Sequence, residues 1–230
     1  MPPSSARLPE WERLLSSAAR LQQILPGAVL VGGTAAALHA EHRFSLDADH
    51  VLPDLRDRFD GILAQLESVA GWETARLARP VQILGSLDGI QTGVRQLIRT
   101  APLETTELNV AGAVLTIPTE AEILRIKGVL VLRRNATRDY LDFVALATRM
   151  GNSQAGEALC SFDRLYPQES GESALQQLQA QLANPLPYDL DESALSQYKD
   201  LVPRWQDWNE VRSACGRIAI AVFDHVCDAT

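Results

Sequence analysis

The residues best suited to chemistry are two aspartates in the run Arg43-Phe-Ser-Leu-Asp-Ala-Asp49, which follows Val29-Leu-Val-Gly-Gly-Thr34 after a short interval. Side chains alternate along a strand, so the spacing of Asp47 and Asp49 predicts two carboxylates on one face. Such a pair can jointly hold Mg²⁺, and the ion can in turn bind phosphates. Arg43 and Ser45 share that parity and are expected to contact the same phosphates. Upstream, Gly32-Gly33 ends an apolar run and opens a helix, with Thr34 next to it. Backbone N–H groups there face outward at the positive end of the helix dipole, a setting that suits an anion. Either feature alone reads as readily as a tight turn or a solvated acidic pair. Their order and close spacing favour a phosphate and metal site.

These residues need elements to position them. Leu8 to Leu25 reads as an amphipathic helix stopped by Pro26-Gly27, and Ala28 to Val31 as a short buried strand. Thr34 to Ala40 is predicted helical, Ser45 to Leu52 a second strand, and Asp54 to Ala70 a helix with Leu55, Phe59, Ile62, Leu63 and Leu66 on one stripe. From Trp72 to Ile117 short alternating runs (Val81 to Leu84, Val94 to Ile98, Val114 to Ile117) complete a mixed sheet. After Pro118 the pattern turns helical. Thr119 with Glu122 reads as a capping box for a helix to about Arg134, and Thr137 to Met150 forms the next helix, ended by Gly151. The fold class expected is α+β: a mixed sheet flanked by helices over residues 1–118, then a helical bundle over 119–230.

The first bundle helices carry their own chemistry. Lys127 falls in the apolar stripe of Ile123, Leu124, Leu130 and Val131, where an ammonium must reach water or a charged partner. It reads either as a snorkelling side chain or as a phosphate-binding lysine, with Asp47, Asp49 and Asp139 as the nearest plausible acids. Asp139 and Asp142 share a face with Phe143 and Leu146, and both can pair with Arg133, Arg134 or Lys127.

Composition narrows the classes further. The formal net charge of −8 argues against a general nucleic-acid binder, although Arg133, Arg134, Arg138 and Arg149 make a local basic patch. Cys160, Cys215 and Cys227 lack metal-ligand spacing and read as buried reduced thiols. Trp205, Trp208 and the apolar residues Ile218, Ala219, Val222 and Phe223 read as core. No apolar stretch approaches the ~20 residues of a membrane span, and residues 1–14 have no apolar signal centre. A cytoplasmic protein with no membrane partner is expected.

Gly32-Gly33-Thr34 with His42-Arg43-x-Ser45-x-Asp47-x-Asp49 resembles the core motif of AbiEii/AbiGii-type nucleotidyltransferase toxins, within the polymerase-beta-like superfamily. Ile117-Pro-Thr-x-x-Glu122, Lys127 and Arg138-Asp139-Tyr-x-Asp142-Phe143 resemble the helical segments that follow the sheet in that family. The resemblance covers roughly residues 25 to 150. It implies a nucleotidyltransferase-like sheet, an NTP substrate with Mg²⁺ on Asp47 and Asp49, and phosphates seated on Gly32, Gly33, Thr34, Arg43 and Ser45. Asp47, Asp49, Lys127 and Asp139 are implied as catalytic, and NMP transfer to tRNA or protein as the reaction. A toxin–antitoxin or phage-defence role, with a cognate antitoxin, is implied as well.

One departure bears on that activity. The superfamily usually has a third carboxylate on a later strand, as metal ligand and general base. The corresponding run, Gly89-Ile-Gln-Thr-Gly-Val-Arg-Gln-Leu97, holds no acid, and Arg95 stands in its place. Asp88 is the alternative ligand, although Asp88-Gly89 also reads as a hairpin turn. A second reading is therefore a catalytically impaired nucleotidyltransferase fold that serves as a nucleotide-binding or protein-interaction module.

Overall fold

The computed structural model describes residues 8–110, 112–190, 195 and 198–228. They divide into two compact units. One holds the described residues up to Ala35 together with Ser45–Thr119; the other holds Ala36–Phe44 together with the described residues from Glu120 onward. The helical unit thus takes in a short segment that a single cut at residue 118 would leave with the sheet.

In the first unit, helix α1 (Leu8–Ile24) is followed by β1 (Val29–Leu30), the first turn of α2 (Gly32–Ala40), β2 (Ala48–Leu52) and α3 (Leu55–Glu67). Strands β3 (Trp72–Ala78), β4 (Gln82–Leu87) and β5 (Ile90–Gln96) complete a five-stranded sheet in the order β1-β2-β5-β4-β3, and β6 (Thr105–Val110) with β7 (Ala113–Pro118) forms a separate hairpin. Only the β2–β5 pair is parallel; the others run antiparallel. The β4–β5 turn is Asp88-Gly89, with φ of 53° and 77°, the two positive values that a two-residue type I′ turn requires.

Alternation gives the sheet two different faces. Leu52, Ile83, Leu87 and Val94 turn inward, onto a core closed by Leu21 of α1, by Leu25 just after it, and by Leu55, Phe59, Ile62, Leu63 and Leu66 of α3. The opposite face carries Asp49 and Val51 of β2, Gly93 and Arg95 of β5, and Gln82 and Leu84 of β4, which the strand registers bring side by side.

The second unit is helical: α4 (Glu120–Arg134), α5 (Thr137–Met150), α6 (Asn152–Leu159), α7 (Phe162–Leu165), α8 (Ala174–Ala183) and α9 (Trp208–Asp228), with a 3₁₀ turn at Pro203–Gln206. Tyr140, Phe143, Phe162, Leu178, Val211 and Ile218 are fully buried in it. Gly128 lets α4 approach closely, because a β-carbon there would lie 2.9 Å from Leu178 Cδ2 and 3.1 Å from Phe162 Cε2.

Some expectations need correction. The second strand begins at Ala48, not Ser45, so Ser45 and Asp47 lie in the connection before it. Phe223 is exposed, whereas Ile218, Ala219 and Val222 are buried. Cys160 is exposed and Cys215 buried, both as free thiols; the side chain of Cys227 lies outside the described residues.

Candidate functional site

The Gly-Gly turn and the acidic strand meet in the first unit. Val31 N donates to Asp49 O at 2.8 Å, which ties the entrance of α2 to β2. Gly32 has φ +74°, a backbone state that costs glycine little, and its missing side chain faces Asp49: a β-carbon would lie 3.5 Å from Asp49 Cβ and 3.6 Å from Oδ2. Thr34, fully buried, donates its hydroxyl to Asp47 O at 2.6 Å. The first turn of α2 therefore runs alongside both aspartates, with its early N–H groups lacking intrahelical acceptors. Asp47 is exposed and Asp49 half-buried.

Asp49 has a cationic neighbour. Arg95 Nε lies 3.7 Å from Asp49 Oδ1, with side-chain exposures of 46% and 33%. Directly across from Arg95 on β4, Gln82 accepts from Arg95 Nη2 at 3.0 Å once its amide presents the oxygen. The residue directly opposite Asp49 is Gly93. A β-carbon at Gly93 would come within 2.5 Å of Leu84 Cδ2 and 2.9 Å of Ile83 O, so the position is closed to a larger residue. Asp88 lies in the hairpin turn, five residues before Gly93, where it is ion-paired to Arg20. Arg95, not an acid, accompanies Asp49 on this face.

A magnesium ion that arrives with a triphosphate is commonly held through one or two carboxylates plus phosphate oxygens, the donor chemistry that Asp47 and Asp49 would supply. A closed protein cage is a different matter. Among the described residues no three His, Cys, Asp or Glu side chains converge to make one.

Arg43, Lys127 and Asp139 gather in the second unit around Asp142, which is fully buried. Arg43 grips it in bidentate fashion, Nε to Oδ1 at 2.7 Å and Nη2 to Oδ2 at 3.0 Å. Lys127 Nζ lies 2.6 Å from Asp142 Oδ2 and 3.8 Å from Asp139 Oδ1, and Arg134 holds Asp139 at 2.6 and 3.0 Å. His42 Nε2 lies 2.7 Å from Asp142 Oδ1. Burial works against the charged form of Asp142, but Arg43, Lys127 and His42 outweigh it and hold the carboxyl well below the usual carboxylate range. Burial also lowers the His42 pKa. Either form of the ring that carries a proton on Nε2 donates it to the carboxylate, and Nδ1 has no hydrogen-bond partner among the described residues.

This cluster alters several expectations. Lys127 does not snorkel: its side chain is 3% exposed. The Arg43 guanidinium is committed to Asp142, and Ser45 is buried outside any strand. Asp142, rather than Asp139, is the hub. His42 was visible only as the neighbour of Arg43 in the motif, and Gln82 carried no sequence signal at all.

No known family profile matches the chain. Two structures from Helicobacter pylori share its fold: a protein described as a nucleotidyltransferase, 17% identical with a TM-score of 0.53 over 99% of each chain, and JHP933, 17% identical with a TM-score of 0.51 over 98% of each chain. The fold is that of the nucleotidyltransferases, a mixed sheet flanked by helices and followed by a helical bundle. A 129-residue stretch, 55% of the chain, is 38% identical to the heme uptake protein MmpL11 of Mycobacterium tuberculosis and 36% identical to the mycolic acid-containing lipids exporter MmpL11 of Mycolicibacterium smegmatis. The chain spans 13% of the length of these relatives. Among the described residues no helix is long and apolar enough to cross a membrane.

Proposed function

We propose that the chain binds a nucleoside triphosphate with Mg²⁺ at Asp47 and Asp49 and transfers its NMP moiety to an acceptor, as an AbiEii/AbiGii-type nucleotidyltransferase. The observation that carries this reading is the contact of Gly32 with Asp49 at the start of α2, which sets an anion-binding helix end against a carboxylate on the open face of the sheet. Bound magnesium would neutralise phosphate charge. The chain's own part is positioning: the N–H groups of Gly32, Gly33 and Thr34 take phosphate oxygens, and the two aspartates fix the metal-bearing end of the nucleotide. Lys127 and Asp139 are the further catalytic candidates. A phosphate role for Lys127 requires it to exchange Asp142 for the ligand, since its Nζ lies 2.6 Å from Asp142 Oδ2. By resemblance, the acceptor is tRNA or a protein and the biological setting a toxin with a cognate antitoxin, acting in the cytoplasm.

The experiment is a thermal-shift and calorimetry series with each NTP and Mg²⁺, followed by incubation of labelled NTP with total tRNA and with cell protein. Stabilisation by one or more Mg·NTP species is expected, together with its loss in Asp49→Ala and Asp47→Ala at unchanged fold. If no nucleotide stabilises the wild-type protein, the reading fails. Growth arrest on induced expression, relieved by Asp49→Ala, tests the toxin role.

The second reading, a nucleotide-binding or protein-interaction module without transfer activity, is favoured by one observation, the arginine that pairs with Asp49 where a third carboxylate is expected. Nucleotide binding without label transfer to any acceptor would support it.

A further inference from the structure

Arg95 is held in a specific relation to Asp49, and the surrounding strand explains why no acid stands directly opposite Asp49. On the open face of the sheet, Gly93 lies directly opposite Asp49 and Arg95 two residues further along β5. Leu84 and the Ile83 carbonyl fill the space at Gly93, so the side chain nearest Asp49 from this strand is that of Arg95. Gln82, paired with Arg95 across the β4–β5 ladder, steadies the guanidinium. Asp49 and Arg95 are both partly exposed and stand at 3.7 Å, an ion pair loose enough to exchange partners.

The charges that meet here are the Asp49 carboxylate and the Arg95 guanidinium, which offset each other. That leaves little with which to draw a bare divalent cation out of water, because Mg²⁺ gives up its hydration reluctantly. A Mg·triphosphate complex is itself anionic, and for it the same arginine is an attraction.

We propose that Arg95 is the residue that determines what this site accepts: it bars the free divalent cation from Asp49 and selects the cation already complexed to a polyphosphate. On binding, Asp49 exchanges the guanidinium for the nucleotide-borne metal, and Arg95 exchanges Asp49 for a phosphate oxygen. This rests on the nucleotide-binding reading for its second half only. The exclusion of free cation is a property of the protein without nucleotide.

The test therefore begins with Mn²⁺ alone, as a spectroscopic probe for Mg²⁺, titrated into the full chain and followed by the loss of the free-ion electron paramagnetic resonance signal. Wild type is expected to bind Mn²⁺ weakly. Arg95→Gln should bind it at least tenfold more tightly, with the gain abolished by adding Asp49→Asn. Arg95→Lys, which keeps the charge, should stay as weak as wild type. Should Arg95→Gln fail to fold, Arg95→Met serves in its place, because its stem packs like that of arginine. Equal Mn²⁺ affinity in wild type and the neutral variant, or a gain that survives loss of Asp49, overturns the proposal. The second arm measures Mg·NTP affinity by calorimetry, where Arg95→Gln is expected to lose at least fivefold. An unchanged or tighter affinity would overturn the exchange of partners. If wild type binds no nucleotide, the functional reading fails, while the Mn²⁺ arm still decides whether Arg95 guards Asp49.

Discussion

At the scale of single residues, the buried charges around Asp142 show how an ionised group is kept inside a protein. A carboxylate without water is tolerable only when cations and donors replace its hydration. Asp142 has three such neighbours, the bidentate Arg43, Lys127 and His42. Removing the hub leaves buried cations without their anion, whereas removing one of the cations leaves Asp142 still partnered. Asp142→Asn is accordingly expected to destabilise by about 3–5 kcal/mol, in the range seen when one member of a buried ion pair is lost. Lys127→Met should cost clearly less, since the apolar stem packing survives and Arg43 and His42 remain. Urea unfolding of the two variants checks this order; equal losses would mean that Lys127 carries as much of the cluster as Asp142 does.

At the scale of elements, the sheet shows where alternation decides a position and where packing overrides it. Ser45 to Leu52 carries the pattern of one strand, yet β2 begins only at Ala48. The connection before it bonds elsewhere: Asp47 O accepts from the Thr34 hydroxyl at 2.6 Å, Phe44 N donates to Lys199 O at 2.8 Å, and the side chains of His42 and Arg43 go to Asp142. The β4–β5 ladder makes a sharper point. With Leu84 and the Ile83 carbonyl against it, Gly93 is required by space rather than by dihedral angle, as its φ is not positive. Gly93→Ala should therefore destabilise the sheet unit by about 1–3 kcal/mol, the usual cost of overpacking. Gly89→Ala, at a position with open space but φ of +77°, tests strain alone. Thermal denaturation of both variants separates the two effects. No loss at Gly93 would show that Leu84 can move aside, and that β5 could have held an acid opposite Asp49.

At the scale of the whole molecule, buried histidines set a limit on acid stability. His50, at the centre of β2, is fully buried, and burial pushes its pKa from 6.5 down to about 4. The unfolded chain takes up this proton near pH 6.5, whereas the folded chain takes it up only near pH 4. The stability that depends on neutral His50 is thus complete above about 6.5 and is lost as pH falls from there to about 4. The loss amounts to about 3 kcal/mol, at ~1.4 kcal/mol per pH unit. His42, also lowered by burial, adds to the loss in the same direction below pH 6.5. Asp142 acts at lower pH, because its contribution disappears only as pH drops below the usual carboxylate range toward its depressed pKa. Tm measured from pH 8 to pH 4 should fall across this window, and the fall should be shallower in His50→Gln, whose side chain does not titrate. A flat profile in the wild type would show that protonated His50 finds water or an acceptor in the folded state.

The sequence by itself determined the local features: the end of α1 at Pro26-Gly27, α5 at Thr137–Met150, the Asp88-Gly89 turn and the closeness of Gly-Gly to an acidic pair. Each depends on periodicity, on glycine and proline dihedral limits, or on neighbours within a few residues. Only the tertiary structure decided which charge meets which. Arg43 and Asp142 lie 99 residues apart in the chain, and the partner of Asp49 is an arginine on β5, three strands further along the sequence, which the sheet brings next to β2. Alternation assigns a side chain to a face but not the strand that will lie beside it. Burial of an ion selects its partner by solvation energy, a quantity fixed only when the distant segments close around it.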